Sequence, residues 1–209
     1  MNKVFKLLKL RSKPVIDFSG SQIDVDEYIE NFSKGTNLNR CYENSKPDYG
    51  ASIVISIDAS ASMGSEKKII VARNLVATLF ESIKGIRNTE IRGNIWSSND
   101  SGEIGITEIN NINDAKKISV ASYYYLTPLH MGLEYSIKML KEMRGTKKLL
   151  ILITDGYPNY YKNGTCIPTL VYNQQCKKSL QKVLKITPNV ICLLVGQENS
   201  GIKQIIEID

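Results

Sequence analysis

The chain has 209 residues, with 27 lysines and arginines against 21 aspartates and glutamates, for a formal net charge of +6. A chain of this length buries about 70% of its unfolded surface and needs no disulfide framework. Its four cysteines and single histidine lack zinc-site spacing. Its longest apolar runs are strand-sized, too short to span a bilayer, and its scattered basic residues favour a basic surface over a nucleic-acid site.

Residues 1–50 differ in pattern from the rest, and we expect an N-terminal extension there before a domain at 51–209. In 1–14, lysines interrupt the apolar residues, which argues against a secretory signal. The alternative is an amphipathic basic arm that touches a membrane or a partner. One short helix, capped by Asp24, is predicted by four apolar residues: Ile23, Tyr28, Ile29 and Phe32. The polar stretch Lys34–Gly50 is predicted to be a connector.

From Ala51, apolar strands alternate with amphipathic helices. Three runs predict buried parallel strands: Ile53–Ile57, Leu149–Ile153 and Val190–Val195. Three stretches predict helices: 66–84, about 130–144, and one that contains Cys176, Leu180, Val183 and Leu184. A short final element is predicted at 202–208. We expect a doubly wound, Rossmann-like α/β sandwich of three layers around a mostly parallel sheet.

An antiparallel hairpin is predicted at the edge of this sheet. Ile91, Gly93 and Ile95 alternate with polar residues and with Trp96, as in a half-buried strand. A turn signal at 99–102 follows, and the alternation then resumes. The sheet should therefore carry one antiparallel edge strand.

Polar side chains stand at the carboxyl ends of two predicted parallel strands. Asp58, Ser60 and Ser62 follow the first strand, and Asp155 follows the second. Open α/β sheets bind ligands at such ends, and converging oxygen ligands suit a hard divalent cation. Taken singly, each residue has an ordinary explanation as a strand end, a helix cap or a turn, and Thr127 before Pro128 is equally an ordinary N-cap.

Together, these residues resemble the metal-ion-dependent adhesion site (MIDAS) of von Willebrand factor type A (VWA) domains, which combines a D-x-S-x-S loop, a separate threonine and a T-D-G aspartate. The resemblance covers about residues 51–200. It implies that Ser60, Ser62 and Thr127 contact Mg²⁺ or Mn²⁺ through hydroxyls, while Asp58 and Asp155 act mainly through waters or hydrogen bonds. It also implies one coordination position for an acidic residue of a partner protein.

Within this family, the chain is most similar to intracellular bacterial and archaeal members. Gly20–Ile29 and Leu149–Asn159 resemble NorD of nitric oxide reductase and the CbbO-like proteins of rubisco activation. Thr127–Leu129 with Gly132-Leu133 is closer to the D-type subunits of magnesium and cobalt chelatases. Both groups work with hexameric MoxR-type AAA+ ATPases, so the resemblance implies such a partner. These relatives carry longer N-terminal regions than the fifty or so residues found here.

We therefore expect a cytoplasmic adaptor that is not an enzyme and that captures an acidic residue through a bound cation. Cys176 and Cys192 fall in apolar patterns and are predicted to be buried free thiols, which suits a reducing compartment. The lone His130 is predicted to be a surface or capping residue. Two alternatives stay open: a metal-dependent hydrolase that uses the same aspartates, and an RNA-binding protein. The loop tyrosines are predicted to form either a recognition rim or plain packing: Tyr157, Tyr160 and Tyr161.

Overall fold

The computed structural model describes most of the chain from Val15 onward. The described residues are 15–17, 22–23, 25–36, 41–44, 50–84, 86, 88–119, 126–156, 158–162 and 164–196. The chain divides into two compact units, Met1–Gly50 and Ala51–Asp209.

In its described residues, the first unit contains a small antiparallel sheet and a helix. Its strands are β1 (Val15–Asp17), β2 (Gln22–Ile23) and β3 (Tyr42–Asn44), in the order β1-β3-β2. Helix α1 (Val25–Lys34) confirms the predicted amphipathic helix, although Ile23 belongs to β2. Strand β3 lies within the stretch predicted to be a connector, so that prediction is wrong for these residues. The strand was missed because it has only three residues, with polar neighbours, and shows no apolar alternation. The predicted cap Asp24 and the basic arm 1–14 lie outside the described residues.

Within the described part of the second unit, five strands form its main sheet. Its strands and those of a small hairpin are β4 (Ala51–Asp58), β5 (Thr89–Ser98), β6 (Ile104–Ile109), β7 (Lys147–Thr154), β8 (Tyr161–Lys162), β9 (Thr165–Cys166) and β10 (Val190–Leu194). The sheet order is β10-β7-β4-β5-β6, parallel except for the antiparallel pairing of β6 with β5. The predicted α/β fold and its antiparallel edge strand are confirmed. The β8–β9 hairpin lies between β7 and β10 in the chain.

The helices of this unit follow the predicted alternation. They are α2 (Lys68–Ile83), α3 (Ile112–Ala115), α4 (Leu129–Glu142) and α5 (Thr169–Leu184). A 3-10 helix, Ala61–Lys67, precedes α2, and the left-handed φ of 59° at Lys67 separates the two helices. The predicted element at 202–208 lies outside the described residues. None of the helices seen in the described ranges is long and apolar enough to cross a bilayer.

Strand β5 is buried on the face that the sequence pattern assigned to solvent. Trp96 and Asn94 are both 0% exposed, because α4 packs against β4 and β5 on that side. The Trp96 indole N–H donates to the Ser56 hydroxyl (2.8 Å), which donates to the Asn94 amide oxygen (3.1 Å). The Asn94 amide donates in turn to the Ser136 hydroxyl of α4 (3.0 Å). These bonds satisfy polar groups that would be costly to bury unpaired.

Gly132 lets α4 approach the Trp96 indole directly. A Cβ atom built on Gly132 would lie 2.4 Å from Trp96 Nε1, well inside contact distance. A glycine inside a helix normally costs stability relative to alanine, so this glycine serves the close contact between helix and strand.

Gly132→Ala should therefore destabilise the domain, although the same change stabilises most helices by about 0.5–1 kcal/mol. Overpacking against Trp96 should cost about 1–3 kcal/mol, measured by urea unfolding at equilibrium. Lys141→Ala, on the exposed side of the same helix, is the control and should stay within about 0.5 kcal/mol of wild type. A Gly132→Ala protein as stable as the wild type would contradict this packing.

Candidate metal centre

The five residues of the predicted site, here called the candidate centre, lie at one edge of the sheet. Asp58 is the last residue of β4, and Asp155 directly follows β7, the strand that pairs in parallel with β4. The amide of Ala59 donates to the Trp96 carbonyl (3.0 Å), which keeps the segment after β4 against β5. Because parallel strands end at the same edge, the two aspartates meet there.

Asp58 joins the two loops that follow β4 and β7. One carboxylate oxygen accepts the Ser60 backbone N–H (2.8 Å), and the other accepts the Thr154 hydroxyl (2.7 Å). The Thr154 hydroxyl accepts the Gly156 backbone N–H in turn (3.1 Å). Asp58 therefore sets the shape of the centre through hydrogen bonds.

Burial raises the pKa of Asp58 to about 6, against the lowering effect of the hydrogen bonds from Thr154 and Ser60. The negative charge of Asp155 raises it further. A carboxylate in such a place is stabilised in its charged form by a nearby cation.

The two serines of the motif place their hydroxyls side by side. Ser60 Oγ and Ser62 Oγ are 3.0 Å apart, with Ser60 buried and Ser62 exposed at the start of the 3-10 helix. The two-residue spacing of the motif therefore gives a pair of hydroxyls, which extends from the buried Asp58 toward solvent.

Asp155 has one carboxylate oxygen without a hydrogen-bond partner. Its side chain is 2% exposed, and Oδ2 lies 3.4 Å from the ammonium of Lys68. Oδ1 is buried and accepts no hydrogen bond. An unsatisfied buried carboxylate oxygen is unfavourable, so this atom fits a centre that takes up a cation.

Thr127 reaches the same edge through its backbone. Leu126 pairs with Ser98 at the end of β5, and Thr127 pairs with Asn159, which follows β7. The Thr127 amide donates to the Asn159 side-chain oxygen (2.8 Å), and the Thr127 carbonyl accepts from the Tyr172 hydroxyl (3.3 Å). Hydrogen bonds thus connect Asp58, Ser60 and Ser62, and Thr154 connects them to Asp155. The main chain of Thr127 is paired with Asn159, four residues after Asp155.

Four supporting residues were not predicted: Lys68, Thr154, Asn159 and Tyr172. Thr154 is the first letter of the T-D-G motif, so its position could have suggested a role. The other three act through contacts between distant parts of the chain, which no local pattern indicates.

His130 is not the surface or capping residue that was predicted. It is 5% exposed, its Nδ1 lies 2.8 Å from the Tyr172 hydroxyl, and its ring packs edge-on against Tyr160 and Tyr172. Burial lowers the pKa of His130 to about 4, against the opposing effect of the Glu134 charge. Tyr160 thus packs in this cluster, while Tyr157 lies outside the described residues.

The predicted burial of the two thiols is confirmed for Cys176 and only in part for Cys192. Cys176 is buried and Cys192 half-buried, and both are free. Burial raises the pKa of each to about 12, so both are protonated at neutral pH.

The donor set of the candidate centre consists of oxygen atoms. No three His, Cys, Asp or Glu side chains gather anywhere among the residues that the structure describes. Two carboxylates with neutral hydroxyls suit Mg²⁺ or Mn²⁺, whereas zinc sites use nitrogen and sulfur ligands.

Comparisons with known proteins agree with the fold. The family model for the von Willebrand factor type A domain matches residues 52–178. An aspartate-to-alanine variant of the PilB minor pilin from Streptococcus sanguinis has a TM-score of 0.54 at 13% identity, over 78% of this chain and 55% of that one. Proximal thread matrix protein 1 from the mussel byssus has a TM-score of 0.50 at 19% identity, over 74% and 41%.

Pilus adhesin SpaC from Lactobacillus rhamnosus GG has a TM-score of 0.43 at 23% identity, over 57% of this chain and 18% of that one. This chain thus spans only part of each of these proteins. A comparison with curated proteins gives no match.

The buried His130 should make stability depend on pH. Its pKa is about 4 in the folded state against 6.5 in an unfolded chain, so the unfolded state binds the proton first as the pH falls. Wild type should lose about 2–3 kcal/mol between pH 7.5 and pH 4.5 through this residue. His130→Gln should be less stable than wild type at pH 7.5, and the difference should shrink by that amount at pH 4.5. Urea unfolding at both pH values measures it, and a difference independent of pH would contradict the buried neutral imidazole.

Proposed function

The chain belongs to the von Willebrand factor type A family, and on that basis we propose that its domain binds a protein partner through a divalent cation held at the candidate centre. The residues that would hold the ion are those named from the sequence: Asp58, Ser60, Ser62, Thr127 and Asp155. Domains of this family commonly mediate protein interaction or adhesion.

The unpartnered oxygen of Asp155 carries this proposal. It is buried at the edge where the Ser60 and Ser62 hydroxyls lie, and it accepts no hydrogen bond. Leaving a buried polar atom unsatisfied costs about 1–3 kcal/mol, and more for a charged group. A cation ligated at this edge would remove that cost.

The residues of the candidate centre would contribute to ion binding in different ways. Asp58 is already engaged by Ser60 and Thr154, so it would keep the loop in shape and add negative charge nearby. Ser60 and Ser62 offer neutral oxygens, which leave most of the ion's double charge uncompensated. A bound Mg²⁺ or Mn²⁺ would supply a coordination position for a carboxylate of the partner.

The surface around the centre suits a protein partner. Helix α5 begins beside it, since Tyr172 contacts the Thr127 carbonyl, and its Leu170 and Val171 are 74% and 54% exposed. Helix α2 also begins there, since Lys68 contacts Asp155, and its Val71 is 55% exposed. Exposed apolar side chains beside a polar centre are typical of interaction surfaces.

The partner that we propose is a MoxR-type AAA+ ATPase in the cytoplasm, with the domain as a non-enzymatic adaptor in cofactor insertion or client remodelling. The resemblance of Thr127–Leu129 and Leu149–Asn159 to chelatase and NorD-type proteins supports this partner. A binding role is also supported by His130, whose ring is buried against Tyr172 and whose pKa of about 4 makes it a weak base, far from the neutral range in which a general base works best.

Mg²⁺ or Mn²⁺ should raise the melting temperature of the wild-type protein but not of Asp155→Asn or Ser60→Ala. At a concentration 100 times Kd, binding adds about 2.7 kcal/mol, or about 5–10 °C for a domain of this size. Differential scanning fluorimetry in EDTA and with added ion measures the shift. Asp100→Asn, an exposed aspartate in the β5–β6 turn, is the matched control and should keep the full shift. An equal shift in Asp155→Asn would place the ion elsewhere.

Binding to a MoxR-type ATPase of the same organism should depend on the candidate centre. Because EDTA also removes the Mg²⁺ that accompanies ATP, the comparison should use variants at constant Mg²⁺. Loss of the ion's charge should weaken the Asp155→Asn complex about tenfold or more in biolayer interferometry, while Asp100→Asn binds like wild type. Equal affinity of both variants would contradict the adaptor role, and phosphoester turnover lost in Asp155→Asn would favour the hydrolase.

A further inference from the structure

Lys68 is a partly buried lysine that contacts the candidate centre through Asp155. It is the first residue of α2, its side chain is 17% exposed, and its ammonium is 3.4 Å from Asp155 Oδ2. Among the ion pairs of the described residues, this is the one that involves an aspartate of the centre. The pair joins residues 87 positions apart, so it depends on the fold.

The Lys68 stem lies against the backbone of Gly196. A Cβ atom built on Gly196 would lie 2.7 Å from Lys68 Cε and 3.3 Å from its Nζ, so the lysine stem rests on this glycine. The preceding Val195 donates its backbone N–H to the carbonyl of Thr154 (3.0 Å), beside Asp155. The segment that supports the Lys68 stem is thus hydrogen-bonded to the end of the strand that leads into Asp155.

The backbone of Lys67 also determines where the Lys68 side chain starts. Lys67 has a left-handed φ of 59°, which ends the 3-10 helix and starts α2 at Lys68. A residue other than glycine in this conformation is uncommon. The bend sets the position from which the Lys68 side chain runs back to Asp155.

A divalent cation at the centre and the Lys68 ammonium would repel each other. Two positive charges a few ångströms apart repel each other far more strongly in a partly buried site than in bulk water. Both would also use the charge of Asp155. The flexible four-carbon stem of lysine allows the ammonium to leave the site without movement of α2.

We propose that Lys68 is a tethered counter-cation, which neutralises Asp155 while the centre holds no ion and which a divalent cation must displace. The inference rests on the proposed function of the centre and deepens it: the ion affinity of this domain is set by a lysine outside the MIDAS motif. Lys68 is a positioning and affinity-setting residue, and its removal strengthens ion binding.

The test is isothermal titration calorimetry with MgCl₂ and with MnCl₂ on wild type and Lys68→Met, which keeps the stem on Gly196 and removes the charge. Lys68→Met should bind the ion about tenfold or more tightly than wild type. Lys84→Met is the matched control, since it removes the same charge from an exposed side chain directly after the far end of α2, where solvent and salt screen it. Its affinity should stay close to that of wild type. Lys68→Gln takes the place of Lys68→Met if the latter does not fold.

A second measurement needs no ion. In EDTA, Lys68→Met should have a lower melting temperature than the wild-type protein. The same substitution should have little effect in Asp155→Asn, because the ion pair is already broken there. Equal effects in both backgrounds would overturn the pairing.

The outcomes separate this inference from the proposed function. Equal, measurable ion affinities of wild type and Lys68→Met would overturn the role of Lys68 and leave the metal centre standing. Binding seen only in Lys68→Met would support the competition. Absence of Mg²⁺ and Mn²⁺ binding in both proteins would overturn the proposed function and this inference together.

Discussion

The carboxylate of Asp58 is the contact on which the candidate centre depends. It accepts the Ser60 backbone N–H and the Thr154 hydroxyl, so the segments that follow β4 and β7 are fixed to each other. This bridge is the direct side-chain link between the segment that carries the two serine hydroxyls and the segment that carries Asp155. The parallel pairing of β4 with β7 brings the loops to one edge, and Asp58 turns that proximity into a defined arrangement.

The arrangement leaves negative charge in a place with little water. Asp58 and Asp155 are 0% and 2% exposed, and burial raises the pKa of Asp58 to about 6. One Asp155 oxygen meets Lys68, and the other has no partner. Positive charge at this edge would therefore stabilise the fold, and we propose that Lys68 and a divalent cation are two ways of supplying it. A partner carboxylate would be attracted only in the second case.

The sequence predicted the sheet well because parallel strands covered on both sides are continuous apolar runs, as in Leu149–Ile153. The D-x-S-x-S spacing predicted the cluster at the end of β4 for a similar local reason. Asn94 and Trp96 were misassigned because alternation implies one solvent-facing side, whereas α4 covers that side of β5. Neither His130 nor Lys68 could be placed, since their surroundings come from Tyr172 and Asp155, far along the chain.

The most direct test is a crystal structure of the wild-type protein grown with Mn²⁺, with anomalous data collected at the manganese edge. One anomalous peak is expected at the candidate centre, about 2.1 Å from at least one serine hydroxyl, with the Lys68 ammonium withdrawn from Asp155. A structure in which Lys68 keeps its contact and manganese binds elsewhere, or not at all, would contradict this proposal.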